Sequence, residues 1–271
     1  EVRSLTMTAG FNDFKGFEEK VRKNHRQLAC VIMEPIMGNA SGILPEKGFL
    51  KHVREVCDRY GVVLIFDEVK TGFRIHPGGA QSLYRVTPDI GTFSKCMGNG
   101  HPIGCFSGKE EIMSVIGPKK VAHGGTYSAN PISLSVCAAT LKEIRKEGNQ
   151  ERFTSFTRGL FRGMDRILTQ ERISHLMSGH PRMFQFLPTP KKKMNEYHDL
   201  SHVDAERFSR IQFECLRRGV MFDVDYQEVI FSSFAHGKKE LRETLDTFST
   251  AIQTAHTVNR TRMPLKGIGA K

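Results

Sequence analysis

A lysine beside a glycine-rich turn is the first feature of the sequence that could carry chemistry. Lys95 stands in "SKCMGNG", directly before the turn 98–100. Either the glycines cradle a phosphate, or the lysine amine reacts while the glycines only turn the chain. The glycines of "GNGHPIG" are spaced G-x-G-x-x-x-G and lead through Pro102 into a strand-like run, so they match neither a dinucleotide-binding loop nor a P-loop. We therefore interpret them as turn formers.

Acidic side chains end two of the predicted strands. Glu34 ends "ACVIME", Asp67 ends the apolar run "VVLIFD", and Lys95 follows "PDIGTFS". Because ligands bind beyond the carboxyl ends of the strands in open parallel sheets, we expect these groups in one crevice. An acid at the end of an apolar strand is costly to bury without a cationic partner. For Asp67 that partner is either Lys95, in a structural ion pair, or a protonated ring nitrogen of a cofactor.

The elements that hold these groups alternate between strands and helices up to about residue 148. Four runs predict strands: "ACVIMEP", "VVLIFDE", "PDIGTFSK" and "IGCFSG". Three runs predict helices: "GFLKHVREVCDRYG", "KEEIMSVIG" and "NPISLSVCAATLKEIRKEG". This order indicates an α/β layered domain over residues 1–148.

The remaining sequence predicts a smaller α+β domain over residues 149–257. Its predicted helices are residues 149–170, "DAERFSRIQFECLRRG" and "KKELRETLDTFSTAIQTAH". Its predicted strands are "PRMFQFLP", "VMFDV" and "EVIFSSFA". Residues 258–271 form a basic tail that we expect to be disordered.

Composition narrows the possible functions. No apolar run is long enough for a membrane-spanning helix. The net charge of +11 draws in anions, but the positive residues are spread along the chain and no nucleic-acid-binding motif accompanies them. The six cysteines show no C-x-x-C pairing, which is typical of reduced, buried thiols in a cytoplasmic protein. We therefore expect no nucleic-acid partner, no membrane and no metal site.

Several sequence blocks together resemble one enzyme family. The blocks are "EPIMGNASGILPEKGFL", "DEVKTGFR" with "GGAQSLYRVTPD", "SK-x-x-GNG-x-PIG", "GGTYSANP" and "DYQEVIFSSFAH". They resemble the class III aminotransferases, pyridoxal-phosphate enzymes of fold type I, and most of all the glutamate-1-semialdehyde 2,1-aminomutases among them. The resemblance runs from about residue 11 to residue 257. It implies a cytoplasmic homodimer with pyridoxal 5′-phosphate as cofactor, built on a mostly parallel sheet with flanking helices and a smaller α+β C-terminal domain.

The resemblance assigns the central cofactor contacts to three residues. Lys95 matches the lysine whose amine bonds to the cofactor aldehyde and then moves a proton between two carbon atoms. Asp67 matches the aspartate that pairs with the pyridinium nitrogen and keeps it protonated. Val69 matches the residue that packs on one face of the ring.

Three further residues match the family with an open alternative for each. Asn39 matches a side chain near the ring hydroxyl, or it is an ordinary loop asparagine. Thr126 matches the threonine that reaches the cofactor phosphate of the neighbouring subunit, or it caps the helix that starts near Asn130. Glu228 matches an acidic, catalytic residue of the aminomutase subgroup, or it is a surface strand residue.

The implied activity is transfer of an amino group on a small amino or aldehyde substrate. The aminomutase resemblance predicts the intramolecular conversion of glutamate 1-semialdehyde to 5-aminolevulinate, a step of tetrapyrrole synthesis. Two alternatives stay open: a transaminase acting between an amino donor and a keto acid or aldehyde, and a truncated, non-catalytic paralogue that only dimerises. The family's phosphate-binding loop and ring-stacking aromatic residue are not found in these 271 residues. We therefore expect this chain alone to bind the cofactor weakly or not at all.

Overall fold

A four-stranded mixed sheet forms the first half of the protein. The computed structural model describes residues 2–117 and 119–257, so the predicted basic tail at 258–271 lies outside the described residues. The strands are β1 (Cys30–Met33), β2 (Val63–Asp67), β3 (Ile90–Phe93) and β4 (Cys105–Gly108), in the spatial order β1-β2-β3-β4. β1, β2 and β3 run parallel, and β4 pairs antiparallel with β3. The predicted α/β layering of this region is confirmed.

Helices cover this sheet and connect its strands. They are α1 (Phe14–Asn24), α2 (Phe49–Tyr60), α3 (Gly79–Tyr84), α4 (Glu110–Met113) and α5 (Pro131–Arg145). The predicted helix at "GFLKHVREVCDRYG" is α2, and it ends at Gly61 in the left-handed conformation (φ 64°) that favours glycine. The apolar face of α2 packs with Leu64 and Phe66 of β2 into one buried cluster. This packing holds the carboxyl end of β2 in place.

The second half builds its own apolar core around a hairpin. Its elements are α6 (Asn149–Gln170), β5 (His175–His180), β6 (Met183–Pro188), α7 (Ala205–Leu216) and α8 (Lys238–Thr257). β5 and β6 pair antiparallel. The Phe186 ring of β6 lies at the centre of the cluster, 5.1 Å between ring centroids from both Phe208 and Phe248. The boundary predicted between residues 148 and 149 falls between α5 and α6 and stays a prediction.

Several secondary-structure predictions were wrong. Residues 220–224 and 228–235 form no strands; within that segment only Ile230 makes a β-bridge, its N–H donating to Phe184 O at 2.6 Å. Their side chains anchor them to the core without a ladder of backbone bonds, which an apolar run cannot reveal. α4 covers only four residues of the predicted "KEEIMSVIG" helix.

Only three of the six cysteines are buried, as the sequence predicted for all of them. All six cysteines are free thiols, and Cys57, Cys137 and Cys215 are buried. Cys30 and Cys105 are exposed because they lie on β1 and β4, the two edge strands of the sheet. Within residues 2–117 and 119–257, no helix combines the length and apolarity needed to cross a membrane.

Truncating Phe186 should destabilise the second half strongly. Phe186 is 0% exposed, so Phe186→Ala leaves a cavity and should lower the free energy of unfolding by about 3–5 kcal/mol. The control is Phe213→Ala on α7. Phe213 is 40% exposed, so this change should lower the free energy of unfolding by less than about 1 kcal/mol. Urea denaturation followed by circular dichroism measures both, and equal losses would contradict this description of the core.

Candidate active site

The register of β2 and β3 brings Asp67 and Lys95 to the same edge of the sheet. Asp67 stands opposite Thr92 in the parallel pairing, at the carboxyl end of both strands. The chain leaves β3 after Phe93, and Lys95 opens a short 3₁₀ turn over Lys95–Gly98. Lys95 is exposed, and its φ of 40° lies in the left-handed region. Residues other than glycine adopt this backbone conformation at a cost in free energy. The register therefore places both residues at the carboxyl ends of adjacent parallel strands, and a shared crevice stays a prediction.

Asp67 and Lys95 do not pair with each other. The Oδ1 atom of Asp67 accepts a hydrogen bond from Val69 N at 2.9 Å. Among the described residues, no ion pair or hydrogen bond reaches the amine of Lys95, and no donor other than Val69 N reaches Asp67. The structural ion pair, one of the two alternatives left open by the sequence, is therefore not formed. An uncommitted amine and an uncommitted carboxylate oxygen are the groups that a pyridine aldehyde cofactor requires, so this donor set fits pyridoxal phosphate.

Glu34 and Asn39 organise the loop after β1. Glu34 accepts hydrogen bonds from Gly38 N and Asn39 Nδ2, both at 2.8 Å. Burial nevertheless raises the pKa of the Glu34 carboxyl above its ordinary value, and the nearby charge of Asp67 acts in the same direction. The Asn39 amide nitrogen is committed to Glu34, so its carbonyl oxygen is the atom that could meet a ligand. Gly38 is required here because a Cβ would lie 2.6 Å from Lys70 Cδ.

Glu228 lies in an ion pair that sequence reasoning missed. The Nζ atom of Lys70 donates to Glu228 Oε1 at 2.7 Å and Oε2 at 2.6 Å, and also to Gly38 O at 3.1 Å. The side chain of Lys70 is 5% exposed and that of Glu228 is 28% exposed. Both oxygens of Glu228 are thus held by a cation, so the carboxylate fastens the C-terminal segment to the loop after β2. Its predicted catalytic role stays a prediction.

A second missed residue is Arg74 of "DEVKTGFR". Its Nε donates to Lys70 O at 3.2 Å, and its guanidinium carbon lies 4.2 Å from the centroid of the Phe231 ring. Burial lowers the pKa of Arg74, while the charges of Cys96 and Glu228 oppose this shift. No carboxylate of the described residues forms an ion pair with Arg74. A partly desolvated cation near the residue that follows Lys95 is suited to an anionic ligand.

Glu68 has a structural role. Its carboxylate is fully buried and accepts hydrogen bonds from Ala80 N at 2.5 Å, Gln81 N at 3.0 Å and Thr71 Oγ1 at 2.8 Å. These bonds tie the start of α3 to the end of β2. Gly79, with φ 71°, is required because a Cβ there would lie 2.5 Å from Glu68 Oε2. Glu68 therefore shapes the loop that carries Lys70 and is not available for chemistry.

Thr126 does not cap α5, contrary to the alternative interpretation of its role. Asn130 is the cap, and its side chain accepts from Ile132 N at 3.0 Å and Ser133 N at 3.2 Å. Thr126 lies in the exposed stretch 119–129, where it can meet another molecule. Its contribution to a neighbouring subunit stays a prediction. Over the described ranges, no three His, Cys, Asp or Glu side chains cluster as metal ligands.

Removing Lys70 should loosen the link between the two halves. Lys70→Met leaves the Glu228 carboxylate without its ion-pair partner and should lower the free energy of unfolding by about 2 kcal/mol, below the cost for a fully buried pair because Glu228 keeps contact with water. Lys70→Met/Glu228→Gln should recover part of this loss in urea denaturation. The control Lys23→Met breaks the exposed Lys23–Glu19 pair and should cost less than about 0.5 kcal/mol. A loss for Lys70→Met no larger than the control would contradict the linking role.

Comparison with known proteins agrees with this architecture. The sequence model of the family described as aminotransferase class-III matches residues 5–252. An omega-transaminase from Sphaerobacter thermophilus superposes with a TM-score of 0.83 at 28% identity, over 91% of this chain and 56% of its own. A transaminase solved with pyridoxal phosphate bound superposes with a TM-score of 0.82 at 26% identity, over 92% of this chain and 57% of its own.

The same fold occurs in an aminomutase. A glutamate-1-semialdehyde aminomutase from Pseudomonas aeruginosa PAO1 superposes with a TM-score of 0.81 at 20% identity, over 92% of this chain and 57% of its own. That identity shows the fold alone. The chain thus spans a little over half the length of the solved proteins it matches. The fold type I architecture and the family cofactor predicted from the sequence, pyridoxal 5′-phosphate, are confirmed, and this chain belongs to the class III aminotransferase family.

Proposed function

We propose that the protein transfers an amino group with the aid of pyridoxal 5′-phosphate, using Lys95 as the reacting amine. The observation that carries this proposal is the pair of uncommitted groups at one edge of the sheet. Asp67 and Lys95 follow adjacent parallel strands, and neither is consumed by an internal ion pair. An exposed ion pair is worth only about 0–1 kcal/mol, so leaving both groups unpaired costs the fold little and keeps them available to a cofactor.

Three residues would hold the cofactor, and Lys95 would move protons. When bound, the cofactor supplies an electron-withdrawing ring that stabilises the negative charge left on carbon after a proton is removed. Asp67 would hold the protonated ring nitrogen through the oxygen that does not bond Val69 N, and Val69 would pack on one ring face. The Asn39 carbonyl oxygen would accept from the ring hydroxyl. The Nζ atom of Lys95 would take a proton from one carbon and return it to another.

Within this class we propose the intramolecular conversion of glutamate 1-semialdehyde to 5-aminolevulinate. The support is the "DYQEVIFSSFAH" segment, which resembles the aminomutase ending. Its Glu228 is bound to Lys70 beside the loop that carries Asn39. Arg74 provides a cation that forms no ion pair with a carboxylate of the described residues, and such a cation suits a substrate carboxylate.

The second candidate is a transaminase acting between an amino donor and a keto acid or aldehyde. The observation in its favour is that the solved structures similar at 28% and 26% identity are named as transaminases. The two reactions share Lys95 and Asp67 and differ in whether a second amino acid is consumed.

We further propose a homodimer in which Thr126 serves the site of the neighbouring subunit. Large apolar side chains next to Thr126 are exposed, with Tyr127 at 85%, Ile132 at 66% and Leu134 at 47% exposure. Large apolar side chains left exposed close together in the chain support an interface in this region. All three lie within eight residues of Thr126 in the sequence.

The reaction can be assigned by supplying glutamate 1-semialdehyde and no other amino compound to the full-length gene product. Formation of 5-aminolevulinate under these conditions is expected for the mutase, and a strict requirement for an added amino donor would favour the transaminase instead. Lys95→Ala should lower either activity by at least about a thousandfold and remove the visible absorption of bound cofactor. The control Lys142→Ala changes an exposed lysine of α5 and should leave both readouts unchanged. Full activity in Lys95→Ala would exclude the proposed role.

The Thr126 proposal predicts a loss of cofactor affinity without a loss of folding. Thr126→Ala removes one hydroxyl and should weaken pyridoxal phosphate binding about fivefold, the effect of a single hydrogen bond. Spectroscopic titration with the cofactor measures the affinity, and the midpoint of thermal unfolding without cofactor should stay constant. Unchanged affinity in Thr126→Ala would count against a phosphate contact.

A further inference from the structure

A cleft lies outside the residues of the candidate active site. It has a volume of about 850 Å³ and lies between the loop 75–77 and helix α6. Its lining does not include Lys95, Asp67 or Glu228. A volume of this size is in the range of sites for small molecules. The floor is partly apolar, formed by Ile75 and Pro77.

The polar lining of this cleft is dominated by arginines. Arg158, Arg162 and Arg182 all line it, and Glu151 is the one acidic residue among its described lining. Arg158 and Arg162 lie one turn apart on α6, so their side chains project from the same face. Within the described chain neither forms an ion pair with a carboxylate. Three cations against one acid leave an excess of about two positive charges.

Arg182 is buried and forms no ion pair with a carboxylate of the described residues, although the charge of Glu151 acts on it from nearby. It is 8% exposed, and its guanidinium donates to neutral acceptors: Gln150 Oε1 at 2.7 Å, Gln150 O at 3.2 Å and Thr154 Oγ1. Its guanidinium carbon also lies 5.2 Å from the Phe153 ring centroid. A buried guanidinium normally has a carboxylate partner, because neutral acceptors satisfy its N–H groups but leave its charge uncompensated. The side chain is therefore held on the cleft wall by neutral acceptors, and the charge of Glu151 offsets its own only in part.

The lowered pKa of His180 reflects the same excess of positive charge. Burial, followed by the charges of Arg182 and Arg158, lowers the pKa of His180 to about 4. The imidazole is therefore neutral near pH 7 and does not add to the charge of the cleft. An anion placed among these arginines would offset the repulsion that now disfavours protonation of His180.

We propose that this cleft binds a small phosphorylated molecule, with its phosphate held by Arg158 and Arg162 and its organic part resting on the floor formed by Ile75 and Pro77. The guanidinium fork matches the spacing of phosphate oxygens and can donate two parallel hydrogen bonds. A phosphate monoester carries a charge of about −1.5 to −2 at pH 7, which balances the excess of about two positive charges in the cleft. Arg182 adds a buried positive charge behind the two exposed side chains.

Calorimetric titration of the protein with inorganic pyrophosphate at constant ionic strength tests the proposal. We expect saturable binding that Arg158→Gln/Arg162→Gln weakens about tenfold or more. Arg145→Gln/Arg166→Gln removes the same charge from exposed positions outside the cleft and should change the affinity less than about twofold. All four positions are exposed on helices, so both variants should fold, which circular dichroism checks.

Two further measurements distinguish binding in the cleft from binding at the cofactor site and test the preference for phosphate. Lys95→Ala should bind pyrophosphate as the unmodified protein does, so the proposal can stand even if the proposed amino-group transfer fails. Succinate should bind at least about tenfold more weakly than pyrophosphate if the site prefers phosphate. The proposal is overturned by the absence of saturable binding, by equal weakening in the two double variants, by loss of binding in Lys95→Ala, or by equal affinity for succinate.

Discussion

The parallel pairing of β2 with β3 is the constraint on which the candidate active site depends. It fixes Asp67 opposite Thr92 and releases the chain two residues before Lys95. Side chains alternate between the two faces of a strand, so a shift of one residue would turn the Asp67 carboxylate to the opposite face. The buried Leu64 and Phe66, packed under α2, prevent this shift because it would expose both of them. The apolar core therefore sets the orientation of the polar site.

A small number of backbone and side-chain contacts holds the segment that carries Glu228. This segment forms no regular strand, and one β-bridge at Ile230 joins it to β6. Ser41 donates from its N–H to Gln227 O at 2.6 Å, and Gln185 Nε2 donates to Glu228 O at 2.6 Å. The Lys70 ion pair adds a connection to the loop after β2. Because these contacts come from both halves of the protein, the position of Glu228 depends on how the two halves pack.

The sequence predicted what depends on local pattern. Apolar runs predicted β1, β2 and β3, helical spacing predicted α2 and α6, and strand ends predicted that Asp67 and Lys95 stand at the same edge of the sheet. The short helix α3 was missed because the carboxylate of Glu68 organises its start from outside the helix. Lys70 was missed because its partner lies 158 residues away in the sequence. Contacts of this kind are set by tertiary packing and leave no periodic trace.

The loop after β2 connects the two regions of unpaired positive charge. The Arg74 side chain faces Phe231 on one side, while its carbonyl oxygen accepts a hydrogen bond of 3.4 Å from Arg182 on the other. Three residues on, Pro77 lines the arginine-rich cleft. A ligand at the Arg74 side chain and a ligand in the arginine-rich cleft would therefore contact opposite sides of the same backbone segment, residues 74–77. Glu68 accepts hydrogen bonds from Thr71 near the start of this segment and from Ala80 just after it, so one buried carboxylate ties the two ends of the loop together.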